Sequence, residues 1–204
     1  MDQVYARILK IAEGKDFKRL EITWYGGEPL MAVPQIVYLS EKLIAYCREK
    51  RMSYSADMIT NGFVLSGPKL KQLVEDCQVV AYQITLDGLP AYHDVNRHTK
   101  TQRNTFDKIY QNIKDFVNTP LLHERGVELT IRMNINRDNS PGVVPFIDFL
   151  AGEGLHESVK LDFCGIVDWG DNDAAANSLS MEEFARKEIE WMIHSKKRIL
   201  EIQR

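Results

Sequence analysis

Four short stretches carry the residue types from which a site for a small charged molecule can be built. Gly26-Gly27-Glu28-Pro29 follows a β-branched and aromatic run, Ile22 to Tyr25, of strand type. Its two glycines let the backbone turn sharply and leave amide groups uncovered, and Pro29 stops the strand. Thr60-Asn61-Gly62 closes a second strand-like run, and Thr85-Leu86-Asp87-Gly88 closes a third. Behind these comes a polar segment with His93, Asp94 and Arg97. A threonine hydroxyl and a guanidinium make a good carboxylate site, because arginine offers a fork of donors to two oxygens. The backbone at Gly26 and Gly27 suits an ammonium through its carbonyls or an anion through its amides. An amino-acid head group, which carries both charges, fits such a mouth. Glycines and polar residues also follow strands in any α/β protein, simply because the chain turns there. That accounts for the glycines but not for Thr85 followed twelve residues later by Arg97.

The totals narrow the classes. A chain of 204 residues is long enough for one sizeable core and short for two full domains. With 44% hydrophobic and 27% charged residues, the composition is that of an ordinary globular protein. A formal charge of −3 gives no basic footprint, so nucleic acid is not expected as a partner. No apolar run approaches the roughly 20 residues of a membrane helix, so no membrane partner is expected either. Cys47, Cys77 and Cys164 are scattered and odd in number, which predicts reduced thiols in a cytoplasmic protein.

The elements that would position these residues alternate. A helix with Val4, Ile8 and Ile11 on one face ends near Gly14. Leu20 to Trp24 reads as a strand, and Pro34 opens a helix whose buried stripe is Ile36, Leu39, Leu43, Ile44 and Cys47. Strand Ser53–Ile59 and helix Ser66–Cys77 follow, then Val79–Leu86, a near-continuous apolar run expected to be buried on both faces. After a polar loop, Pro90–Gln102, come a helix with Phe106, Ile109, Ile113, Phe116 and Val117 and a strand Val127–Met133. Helix Val143–Leu150, strand Val159–Phe163 and an Asp/Asn/Gly-rich loop, Asp168–Asn177, follow. A capping box, Ser180 with Glu183, starts the last helix. Such alternation means parallel strands with right-handed helical crossovers in a single α/β domain. Ligands then sit at the C-terminal ends of the strands, whether the sheet is open or closed into a barrel.

In this order, Gly26-Gly27-Glu28-Pro29, Thr60-Asn61-Gly62, Gln83-Ile84-Thr85-Leu86-Asp87-Gly88, His93-Asp94 and Arg97 resemble the radical S-adenosylmethionine superfamily. The closer likeness is to the branch with a C-terminal SPASM domain, the sulfatase-maturing and peptide-modifying enzymes. It runs from about Leu20 to Val167. The resemblance implies a partial (β/α)6 TIM-like barrel of parallel strands, here missing its first strand. It also implies a cofactor site. Gly26 and Gly27, with Glu28 in the same motif, would receive the methionine amino group of S-adenosylmethionine. Thr85 would touch the same cofactor where relatives have serine, Arg97 would hold its carboxylate, and Val167 would pack on the adenine.

The chain departs from that family in one defining feature. The Cys-x-x-x-Cys-x-x-Cys loop that carries a [4Fe–4S] cluster is absent, and the three cysteines lie too far apart to replace it. Tyr25 stands where sulfatase-maturing relatives commonly have glutamine, which leaves the substrate open within the branch. The expectation is a core-domain fragment, 1–204, incomplete at both ends. Its parent would be an oxidoreductase that cleaves S-adenosylmethionine reductively at a [4Fe–4S] cluster, with an external electron donor. It would abstract hydrogen from a peptide or protein side chain. This stretch would retain part of the cofactor pocket, with no catalytic residue and no metal ligand of its own. The alternative is a non-catalytic barrel-derived binding or scaffolding module. Other residues have plainer readings. His93, Asp94 and His98 make a poor metal set, Trp24 and Tyr25 are core aromatics before they are adenine platforms, and Asp162 is either a base or a loop cap.

Overall fold

The computed structural model describes residues 1–99, 101, 103–167 and 176–202. Its elements are α1 (Asp2–Ala12), β1 (Arg19–Trp24), α2 (Val33–Glu49), β2 (Ser53–Thr60), α3 (Gly67–Glu75), β3 (Val79–Thr85), α4 (Pro90–Asn96), α5 (Phe106–Val117), α6 (Pro120–Glu124), β4 (Glu128–Ile135), α7 (Val143–Gly152), β5 (Lys160–Gly165) and α8 (Met181–Ile202). The strands form one sheet in the order β1-β2-β3-β4-β5. The β1–β2 and β4–β5 ladders are parallel, with Arg19 opposite Ser53 and Thr130 opposite Lys160. This is the expected α/β sheet.

Two compact units divide the chain, Met1–Gln83 with Asn112–Leu129, and Ile84–Gln111 with Thr130–Arg204. In the first, α2 turns Ile36, Leu39, Leu43 and Cys47 inward at helical spacing. Ile44, expected in the same stripe, is only half-buried. Tyr54 of β2 donates its hydroxyl to Ser40 of α2 at 3.3 Å, so α2 covers the face of β2 that carries buried Ala56 and Met58. On the other face stand Arg19, Glu21 and Thr23 of β1 beside Ser55 and Asp57 of β2. Burial, reinforced by Glu21, pushes the Asp57 carboxyl above its ordinary pKa.

The second unit repeats the division. Ile131, Met133 and Ile135 of β4 are fully buried. Phe163 of β5 meets Trp191 of α8 with ring centroids 5.5 Å apart. The alternate residues, Arg132 and Asn134 of β4 with Asp162 and Cys164 of β5, line the opposite face. Strand alternation thus gives each ladder one apolar, helix-covered face and one polar face. Helix α8 starts as expected: Glu183 N donates to Ser180 Oγ at 3.1 Å and Ser180 N donates to Glu183 at 2.9 Å. Arg137 also meets Glu183, and together these hydrogen bonds hold its carboxyl down to about 2.

Several boundaries differ from the sequence pattern. Strand β3 is not fully buried on both faces: Tyr82 and Ile84 are buried on one, whereas Ala81, Gln83 and Thr85 on the other are only half-buried. Its β-branched run reflects strand propensity more than two covered sides. The polar stretch after Gly88 is a loop only in part, since Pro90 opens α4 at a position where its missing N–H costs nothing. Pro120 likewise opens the short helix α6, which periodicity does not mark. Helix α1 forms as expected, yet none of its residues is buried. The Asp/Asn/Gly-rich loop lies outside the described residues up to position 175. No helix among the described residues is long and apolar enough to cross a membrane.

Leu43 is fully buried in the α2 stripe, whereas Val4 on α1 is about half exposed. Leu43→Ala is expected to destabilise the protein by about 2–5 kcal/mol, and Val4→Ala by no more than about 0.5 kcal/mol. Urea unfolding followed by circular dichroism checks the contrast.

Candidate functional site

The turn after β1 belongs to the first unit. Gly26 (φ +99°) and Gly27 (φ +55°) both take backbone conformations that side chains strain to adopt, and a Cβ on either would meet open space. The backbone there is exposed. Beside it, Tyr25 is 76% exposed. Glu28 is the anchor of the turn. Its carboxylate accepts from Leu30 N at 3.0 Å, which caps the short 3-10 turn Pro29–Met31, and from Thr60 Oγ1 at 2.5 Å and Asn61 N at 2.9 Å. The end of β1 is thus stapled to the end of β2 by charge-assisted hydrogen bonds. The second loop is tied down further. Thr60 Oγ1 accepts from Gly62 N, and Asn112 of α5 donates its amide to the carbonyls of Gly62 and Phe63 at 2.7 and 3.1 Å.

In the second unit, the turn after β3 is organised by Asp87, only 8% exposed. Arg97 donates Nε to one carboxylate oxygen. The other accepts from Asn134 N at 2.7 Å and from the Asn134 side-chain amide at 3.3 Å. The backbone N–H of Asp87 donates to His93 Nδ1 at 3.0 Å. With Nδ1 accepting, the His93 proton sits on Nε2, which donates to Thr105 Oγ1 at 3.1 Å; that hydroxyl donates on to the Arg97 carbonyl at 2.6 Å. Asp94 accepts from Thr105 N and Phe106 N at 2.8 and 3.0 Å and so caps α5. Tyr92 of α4 packs where a Cβ on Gly142 would overlap its ring, so only glycine fits at 142.

These contacts assign plain roles to much of the polar motif. Both nitrogens of His93 are engaged, Asp94 is a helix cap, and His98 lies in a short bridge with Asn104. Among the described residues no group of three His, Cys, Asp or Glu side chains is placed to hold a metal ion. Arg97 keeps a side chain 37% exposed while Asp87 fixes its Nε. Thr85 ends β3 on its half-exposed face, and Val167, two residues beyond β5, is 52% exposed.

One polar group escapes sequence reasoning. On the open face of β4 and β5, the Arg132 guanidinium reaches Asn134 Oδ1 at 3.2 Å, Asp162 Oδ2 at 3.4 Å and the Cys164 sulfur. The signal is present in retrospect: Arg132 and Asn134 interrupt the apolar pattern Leu129, Ile131, Met133 at every second position. Asp162 is thereby a partner of Arg132. The thiols of Cys47 and Cys77 are buried in the first unit, where burial raises both pKa values, that of Cys77 to about 11. Buried, protonated thiols on separate elements do not fit a [4Fe–4S] cluster, and Cys164 belongs to the other unit.

No protein-family model and no curated protein matches the sequence. Solved structures do match the fold. Native anSMEcpe with bound AdoMet has a TM-score of 0.67 at 19% identity, over 82% of this chain and 43% of that one. Native anSMEcpe with bound AdoMet and the Cp18Cys peptide has a TM-score of 0.70 at 18% identity, over 92% of this chain and 50% of that one. A histidine-tagged anSMEcpe with bound AdoMet scores 0.64 at 20% identity, over 82% and 41%. The chain thus spans about half the length, or less, of the structures it matches. anSME is the anaerobic sulfatase-maturating enzyme, of the SPASM-type radical S-adenosylmethionine branch that the motifs resemble. What the likeness establishes for this chain is a shared fold.

Burial holds the His93 imidazole below its ordinary pKa, with Asp87 opposing the shift. The unfolded chain takes up this proton near about pH 6.5 while the folded chain resists. The stability held by neutral His93 is therefore complete above about pH 6.5 and declines as the pH falls below it toward the folded value. Urea midpoints at pH ~7.5 and ~5.5, on either side of that value, should differ in the unmodified chain and differ less in His93→Gln. Glu28→Gln, which removes the charge from three hydrogen bonds, should cost about 1–3 kcal/mol and speed amide exchange at Leu30 and Asn61. Exchange monitored by NMR reads this directly.

Proposed function

We propose that this chain carries the S-adenosylmethionine-binding part of a radical S-adenosylmethionine enzyme acting on a peptide or protein side chain. The observation that carries the proposal is the Gly26-Gly27 turn. Its backbone is bare, held in a conformation reserved for glycine, and anchored by Glu28 to the end of the next strand. A rigid, uncovered strand end of this kind is what an ammonium group needs if the protein is to meet it with main-chain carbonyls. The fold shared with AdoMet-bound anSMEcpe supports the same ligand, and its peptide-bound form supports a peptide substrate.

Each residue then has a task. Gly26 and Gly27 offer main-chain groups to the amino end of the cofactor, and Glu28 positions that turn instead of touching the ligand. Arg97 offers its terminal guanidinium nitrogens to the carboxylate while the Asp87 ion pair fixes the orientation of the group. Thr85 adds a hydroxyl and Val167 an apolar surface for the adenine. Arg132 and Asp162, on an open strand face, are suited to polar groups of a substrate backbone. S-adenosylmethionine held by these residues would supply a reactive sulfonium as the source of the hydrogen-abstracting group. The described cysteines do not form a ligand set for a [4Fe–4S] cluster. The same cysteine placement favours a second reading, a non-catalytic module that keeps the barrel-type core for binding or scaffolding.

Isothermal titration with S-adenosylmethionine separates the readings. Binding weakened about tenfold or more by Arg97→Ala is expected, since hydrogen bonds to charged groups contribute about 1.5–3 kcal/mol. Binding indifferent to Arg97 overturns the carboxylate assignment, and no binding by the unmodified chain leaves the scaffold reading.

A further inference from the structure

Helix α8 has two apolar sides, and its own unit covers one of them. The inner side carries Phe184 and Trp191. The Trp191 ring lies 5.5 Å from Phe163 of β5 and 6.0 Å from Phe184, and Phe184 packs where a Cβ on Gly165 would crowd it. That side seats the helix on β5. A surface helix is ordinarily polar on the face turned away from the core. Here Ile189, Met192, Ile193 and Leu200 are 59%, 51%, 49% and 60% exposed. Nothing in the proposed function uses them.

At about 3.6 residues per turn these four fall, with Ala185 and Lys196, on one stripe about 100° wide and opposite Trp191. From Ala185 to Leu200 the stripe runs about 22 Å, at about 1.5 Å per residue. Single exposed apolar residues are normal, but a contiguous stripe of them marks a contact surface. A narrow stripe on a regular helix fits another helix, whose side-chain ridges enter its grooves.

The charges beside the stripe select which helix. Arg186, Glu190, Lys197 and Glu201 follow one edge of it, all exposed, in the order basic, acidic, basic, acidic. Within the chain Arg186 meets Glu190 at 3.3 Å and Arg198 meets Glu201 at 2.7 Å, both as ion pairs of the helix with itself. When two copies of a helix pack antiparallel about a twofold axis, each edge faces the same edge of its copy, read in reverse. Reversal brings Glu190 beside Lys197 of the second copy, and Arg186 beside Glu201 of the second copy. One register satisfies both, because 190 with 197 and 186 with 201 share a midpoint between 193 and 194. The symmetry makes each pairing twice. The same midpoint sets Ile193 against its own counterpart at the centre of the stripe. A parallel pair would set this edge against the other one, which carries Glu188 and has no such alternation. The helix is complementary to itself when reversed.

We propose that the outer stripe of α8 is the contact surface of a homodimer, in which α8 packs antiparallel on α8 of a second copy with Ile193 at the twofold axis. The contact uses none of the residues assigned to S-adenosylmethionine and stands whether or not that reading holds. A single helix pair is at the small end of specific interfaces, so half-dissociation is expected at roughly 10–100 μM chain. Sedimentation velocity of the full chain from about 1 to about 300 μM should show monomer passing to dimer and no larger species, since a twofold contact closes on itself. Ile193→Glu, at an exposed position, should leave the circular dichroism spectrum unchanged. It should weaken dimerisation about a hundredfold or more, because two apolar contacts are lost at once. Glu190→Lys alone and Lys197→Glu alone should each weaken it about tenfold, by placing like charges together twice. Mixed in equal amounts, these two variants should recover dimerisation, since every reversed charge then meets its opposite. A chain monomeric throughout this range, dimers indifferent to Ile193→Glu, or no recovery on mixing would overturn the proposal.

Discussion

A carboxylate taken out of water must be met by donors on every side, and Asp87 shows how much structure follows from that requirement. Its oxygens collect Arg97 from the end of α4 and Asn134 from β4, and its own amide is received by His93. His93 passes its other nitrogen to Thr105, next to the start of α5, and Asp94 caps that helix. The turn after β3, helix α4 and the start of α5 are thus one hydrogen-bonded assembly. A residue that reads as half of a generic Asp-Gly turn is the centre from which the surrounding backbone is placed.

Glu28 performs the same service in the other unit, with different partners. It joins two successive strand ends through a threonine hydroxyl and two backbone amides. In both units an acidic residue next to a glycine is used for construction. The division is physically sensible. A carboxylate already saturated by main-chain donors is a poor ligand but a stiff support, and binding groups held stiffly lose less freedom on association. The Gly26-Gly27 turn and the Arg97 guanidinium are each positioned by an acid rather than accompanied by one.

The strand faces complete the picture. The β1–β2 and β4–β5 ladders separate apolar from polar residues by simple alternation, and helices cover the apolar side. Arg132 with Asn134, Asp162 and Cys164 forms a polar group on the opposite side.

Much of this was legible in the sequence because it depends on local rules. Period-2 and period-3.6 patterns located the five strands and the long helices, and the Ser180–Glu183 box marked the start of α8, since such signals need only neighbouring residues. The glycines at 26 and 27 announced a special turn because few other residues take positive φ. What the sequence did not decide was where the polar side chains spend their hydrogen bonds. Glu28, grouped by its motif with the ligand-binding residues, is consumed by Thr60 and Asn61, thirty-two and thirty-three positions away. Helix α4 was hidden in a polar stretch because its stability comes from His93 docking on Asp87 rather than from an apolar stripe. The partners of Arg132 were hidden for the same reason: they lie on β5 and are set by register. Chemistry-bearing residue types are written in the chain, but their partners are chosen by packing, because a buried polar group accepts whichever donor the fold brings within reach.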